Sequence, residues 1–149
     1  MAADLRALLE LQRRRTQRAQ DAFAAAERAR QAAEMAAARA LQRFHELEGS
    51  HTHQREQRIR DILKEPTSAV SLVRIRLQYD MGEDEMRAQA NAVLLAREQV
   101  KERAEEVKTA KDALNAAMKR EKKLEEAVKR LAVGEARIQD VQAEMELER

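Results

Sequence analysis

The sequence predicts an all-α protein, a long antiparallel two-helix coiled-coil hairpin with a turn or short helix within residues 65–82. Three observations predict it. Charged residues make up 38% of the 149 residues and aromatics 2%, with Ala, Glu, Lys, Leu and Arg dominant, the composition of long helices. Three Gly and one Pro are too few for the turns of a sandwich, a barrel or an α/β sheet. Apolar residues recur at steps of three and four over two long stretches. Phe23, Phe44 and Tyr79, with no Trp, cannot anchor a thick globular core, which leaves little room for a deep active-site cleft.

The first helix is expected over about 3–64. Its seam positions are 5, 9, 12, 16, 19, 23, 26, 30, 33, 37, 40, 44 and 47, of which ten of thirteen are apolar. Alanine fills much of the middle, and small seam residues let helices approach toward the low end of the usual spacing of about 8–10 Å. Continuing the frame gives His51, Gln54, Arg58, Asp61 and Glu65, all polar, while Ile59, Ile62 and Leu63 take a different face. Gly49 and Ser50 sit at this change of phase, so a kink or short interruption is expected at 48–54. Pro66 ends the stretch, because proline disfavours the α region for the residue before it. Thr67 and Ser68 are N-cap candidates for the next helical stretch.

Residues 65–82 are expected to hold the turn. Val73, Ile75, Leu77, Tyr79 and Met81 alternate with polar residues, which taken alone reads as a strand. Leu72, Ile75 and Tyr79 also continue the later heptad backwards, and a strand has no partner here, so helix is favoured. Gly82 marks a break, and Asp80 with Glu83 resembles a capping box. The second long helix is expected over about 83–147. Met86, Val93, Val100, Val107, Leu114 and Val128 share one seven-residue register. Ala96, Ala110, Ala117, Leu124, Leu131, Ile138 and Met145 share the register three further on, and thirteen of the eighteen positions in the two are apolar.

The place of the turn matters. A reversal at Pro66 sets Asp4 beside about residue 128, and the apolar stripe Leu131, Ile138, Val141 and Met145 then runs past its partner. Such a stripe implies another protein or a second copy. A reversal near 74 leaves no overhang.

Other chemistry is sparse. There is no Cys, hence no thiolate nucleophile or Cys-held metal. No apolar run approaches the 18 or so residues of a membrane span, and no secretory signal is visible, so membrane insertion is not expected. His51 and His53 are two apart and point to different helix faces, so no metal site is expected. No phosphate-cradling glycine loop and no sheltered carboxylate for acid–base work is visible, so neither a cofactor nor an enzymatic activity is expected. Net charge is +2 from 29 bases and 27 acids, a balance that argues against a dedicated nucleic-acid binder. Arg13, Arg14, Arg15 and Arg18 form the densest basic cluster, read as a solvated face, an acidic-partner site or a phosphate contact. Leu72, Ile75 and Tyr79, with Arg74 and Arg76 between them, read as turn packing or a partner-binding tip.

The opening LRALLELQRRRTQRAQDAF, the Ala/Arg/Glu-rich stretch after it, the closing KREKKLEEAVKRL and the acidic EMELER together resemble the FliJ/YscO family of type III secretion systems. That resemblance implies a small cytoplasmic helical hairpin, peripheral to the secretion apparatus, that serves as the central stalk of the export ATPase. It implies one end in the hexameric ATPase, the other at the export-gate protein, stimulation of hydrolysis, and contacts with secretion chaperones. Mapped here, Leu5–Arg18 and 131–149 enter the ATPase, while Leu72, Ile75 and Tyr79 face the gate. A monomer is favoured over a dimer. The alternatives are a generic self-associating structural coiled coil and nucleic-acid binding through Arg13–Arg18.

Overall fold

A computed structural model describes residues 2–64 and 68–148, with Ala2 described for its backbone only. Two helices account for nearly all of the described residues, α1 over Ala2–Lys64 and α2 over Ala69–Leu147, and no strand occurs among them. The alternation at 73–81 is therefore helix, as the heptad rather than the strand pattern demands. The fold is an all-α hairpin whose first helix ends at Lys64 and whose second begins at Ala69. Glu65, Pro66 and Thr67, and with them the expected proline stop and the Thr67 cap, lie outside the described residues.

The start of α2 is set by Ser68. Its hydroxyl Oγ accepts a hydrogen bond from the Ser71 backbone N–H at 3.2 Å, the N-cap to N3 geometry, and lies 2.9 Å from Ser71 Oγ. The Leu72 N–H donates to Ser68 O at 3.1 Å and opens the α-helical ladder. Because this cap acts at 68, residues 69–82 are helix rather than turn. The expected capping box at Asp80–Glu83 is instead helix interior.

The interruption expected at 48–54 is also absent, since α1 is helical throughout that stretch. Gly49 and Ser50 fall on the exposed face, where helix tolerates them, and His51 keeps its place in the seam. Neither Gly49 nor Gly82 adopts a positive φ.

The helices pack in two compact units, one combining Met1–Glu27 with Glu105–Arg149, the other formed by Arg28–Ala104. In the first unit the helices run antiparallel, with Arg13 facing Glu121 and Leu9 sharing a recess with Glu125 and Val128. Leu9 and Ala117 are its buried apolar residues. Gln12 and Thr16, which interrupt the apolar seam in sequence, are among the most buried residues, at 6% and 5% exposed. The small side chain of Ala117 explains both. It lets the Gln12 side-chain amide donate to the Ala117 carbonyl at 3.1 Å, while the Thr16 hydroxyl donates to Gln12 O at 3.0 Å and stands 3.4 Å from Ala117 O. The buried polar groups are thus satisfied, as burial requires.

In the second unit α1 and α2 are again antiparallel, with His51 against Glu83 and Arg55 against Tyr79. The predicted α1 seam positions from Arg30 to Leu47 and their α2 counterparts from Met86 to Arg103 are all half-buried or buried, with Val93 the most enclosed. No large side chain in the described residues is fully buried. Two helices can cover one stripe each and cannot enclose a core.

Candidate partner-binding surfaces

The first surface is the end of α2. Stepping eleven residues back from Arg13 to Ala2 moves the facing position forward by the same amount, from Glu121 to Ala132. Beyond that level no described residue of α1 stands opposite α2, which stays helical to Leu147. Every residue from Ala136 to Glu148 is exposed, including Ile138 at 61%, Val141, Met145 at 63% and Leu147. The reversal after Lys64 therefore produces the overhang that the sequence implied for a turn at Pro66. Of the predicted residues here, Leu131 is half-buried as the last seam residue with α1 beside it, while Ile138 and Met145 project. Between 135 and 148 stand Glu135, Asp140, Glu144, Glu146 and Glu148 against the single base Arg137. The stripe is apolar with acidic flanks.

The basic cluster on α1 divides. The Arg13 guanidinium lies 3.7 Å from Glu121 and 3.6 Å from Glu125, so it ties the two helices together within the first unit. Arg14 and Arg15 are exposed on the neighbouring positions. Arg18 is exposed as well, so the cluster presents three outward arginines rather than four.

The second surface lies in the second unit, next to the turn. Arg55, Arg58, Ile59 and Ile62 of α1 meet Leu72, Ile75, Arg76, Tyr79 and Asp80 of α2 around an open groove of about 390 Å³. Four of the predicted tip residues, Leu72, Ile75, Arg76 and Tyr79, line it. Arg74 is exposed but outside the lining. The α1 half of the groove is not among the sequence-predicted sites, although Ile59 and Ile62 on a displaced face are the signal for it. A further exposed stripe, Val70, Val73, Leu77 and Met81, occupies another face of α2 in this unit.

Beside the groove, where Gly82 in sequence marks a break, sits a polar contact instead. The His51 side chain is 12% exposed, and its Nε2 lies 3.2 Å from Glu83 Oε1. A carboxylate only accepts, so Nε2 carries the hydrogen. The imidazole also packs on Tyr79, with ring centroids 5.6 Å apart, and Arg55 lies over the same tyrosine ring at 5.8 Å. Gly82 makes room for it, because a Cβ there would stand 2.6 Å from His51 Nδ1 and 2.7 Å from Cε1. Gly82 is thus a hole for a histidine knob and not a helix stop. His45 points elsewhere, with Nδ1 3.7 Å from Glu48 on its own helix.

No helix among the described residues is long and apolar enough to cross a membrane. No family model, no curated protein and no solved structure matches this chain.

Proposed function

We propose that this chain is a non-enzymatic stalk or adaptor of a type III secretion export apparatus, acting at its cytoplasmic side. The end of α2 docks into the export ATPase and promotes hydrolysis, and the turn end contacts the export-gate protein or a secretion chaperone. The observation that carries the reading is the stretch of α2 beyond Ala132. It keeps Ile138, Val141 and Met145 on one apolar stripe with no α1 residue opposite. A free stripe of this kind is an interaction surface. The resemblance of the opening and closing segments to the FliJ/YscO family supplies the partner. The chain offers hairpin surfaces rather than a cleft, which suits an adaptor.

The test is hydrolysis by the export ATPase of the same secretion system, with and without this chain. Stimulation that is lost in an Ile138→Glu, Met145→Glu double variant supports the reading. No binding and no stimulation by the unaltered chain refutes it.

The same stripe also favours a second reading, in which two copies pair through their α2 ends as a structural coiled coil. The acidic flanks oppose it, because pairing like ends brings five acids of each copy together against two bases apiece. Sedimentation decides between them. An elongated monomer fits the adaptor, and a stable dimer abolished by Ile138→Glu fits the coiled coil.

A further inference from the structure

The groove beside the turn has a composition that its own hairpin does not use. Its floor is apolar, built from Ile59, Ile62, Leu72, Ile75 and the ring of Tyr79. Its charged lining is Arg55, Arg58 and Arg76 against the single acid Asp80. None of the three arginines forms an ion pair with a described residue. Arg55 rests over Tyr79, Arg76 is exposed, and Arg58 is half-buried with Nη1 enclosed and without a hydrogen-bond partner. The antiparallel register makes this worse for the isolated chain. Stepping three residues from the Arg55–Tyr79 contact sets Arg58 level with Arg76, so two cationic side chains line the same stretch of groove. Like charges so placed oppose the fold. A buried donor left unsatisfied carries its full desolvation cost.

We infer that this groove receives a helical segment of a partner protein, apolar along one edge and bearing carboxylates beside that edge. The apolar edge covers the floor, and the carboxylates pair with the exposed forked guanidiniums of Arg55 and Arg76, a geometry in which arginine binds carboxylate bidentately, while half-buried Arg58 adds positive charge beneath them. The volume of about 390 Å³ falls within the usual range of binding pockets, about 300–1,000 Å³. The lining residues span two turns of each helix, so the seat takes two or three apolar side chains at i, i+3 and i+4 spacing, the helix-in-groove mode. The next recess along the same side changes sign, with Asp80, Glu83 and Asp84 against Arg87. The carboxylates of the occupant therefore belong at the end nearer the turn.

The occupant is a foreign segment rather than a second copy of this chain. A copy seated through its own acidic α2 end would use the stripe that the stalk reading gives to the ATPase, and the pair, ring or filament it formed would show as self-association. A foreign helix saturates the site. This inference deepens the stalk reading at the turn end by naming the chemistry of the partner. It stands on the groove alone, and its test contains no ATPase, so the two readings fail separately.

The probe is a fluorescein-labelled synthetic helical peptide of four turns, with leucines on one edge and glutamates flanking them. A second peptide has the same leucines flanked by lysines. Anisotropy titration of the full chain is expected to give saturable micromolar binding of the glutamate peptide, with the lysine peptide at least about tenfold weaker. Arg58→Gln with Arg76→Gln lowers the affinity for the glutamate peptide about tenfold or more. The exposed single variant Arg76→Glu lowers it without touching the seam. Arg14→Gln with Arg15→Gln, in the other unit, leaves it unchanged. Equal binding of the two peptides, no saturation up to millimolar chain, or an equal loss in the Arg14/Arg15 variant overturns the inference. So does self-association in sedimentation that the Arg58/Arg76 variant abolishes, which assigns the groove to a second copy.

Discussion

Replacing Gly82 with alanine is expected to destabilise the protein, although alanine is the better helix former. In an open helical position Gly→Ala gains about 1 kcal/mol. Gly49 and Gly134 are such positions, with nothing within 4 Å of an added Cβ. At Gly82 the same methyl stands 2.6 Å from His51 Nδ1 and displaces the imidazole. The ring then loses its bond to Glu83, worth about 1 kcal/mol, and its packing on Tyr79, worth about 0.5–1.5 kcal/mol. The loss of roughly 1.5–2.5 kcal/mol outweighs the gain, so the net cost is about 0.5–1.5 kcal/mol. In a His51→Ala background the obstacle is gone, and Gly82→Ala recovers the full gain. The assay is urea unfolding followed by far-UV circular dichroism on the four members of the cycle, with Gly49→Ala as the open-site control. A Gly82→Ala variant as stabilised as Gly49→Ala, in both backgrounds, refutes the knob-and-hole account.

Three further outcomes check other parts of the structure. Ala117→Leu should destabilise by about 1–3 kcal/mol in the same urea assay, because it overfills the close approach and displaces the Gln12 amide from its carbonyl. Arg13→Ala should cost no more than about 0.5 kcal/mol, because its bridges to Glu121 and Glu125 stand in solvent, and a larger loss in thermal melts contradicts that. Ile138→Gln with Met145→Gln should leave the melting temperature within error of the parent, since neither touches α1, and under the proposed stalk role it abolishes any stimulation of the export ATPase.

Much of this arrangement is legible in the residues. All thirteen α1 seam positions from Leu5 to Leu47 are buried or half-buried, and so are the two α2 registers from Met86 to Leu131. Periodicity reports such faces directly, because a helix of this length has only one way to turn its apolar stripe inward. The errors fall where one residue type serves two purposes. Gly82 reads as a break because glycine is a poor helix former, yet its missing side chain is what His51 occupies. Gln12 and Thr16 are polar members of the seam, and a polar side chain buries well where a neighbouring alanine bares a backbone carbonyl. The groove is half visible, since its α1 wall is contributed by Ile59 and Ile62, which leave the heptad frame, and pairing with Leu72 and Ile75 depends on where the chain turns.

The histidine knob bears on the groove through register. A seam of small residues tolerates slippage, since alanine slides past alanine with little change in contact, and single polar positions are what specify alignment in such helices. In the second unit a slip by one heptad sets His51 against Ile75 or Gln89, and both carry side chains where Gly82 has none. The same slip sets Arg58 against Ala69 or Glu83, and in the latter case an ion pair neutralises it. The native register does the opposite and holds Arg58 level with Arg76, an alignment that electrostatics within the hairpin disfavours. A local conflict maintained by a neighbouring lock is the mark of a site rather than of a packing accident. His51 and Gly82 hold the register, and the arginines are left for something outside the chain.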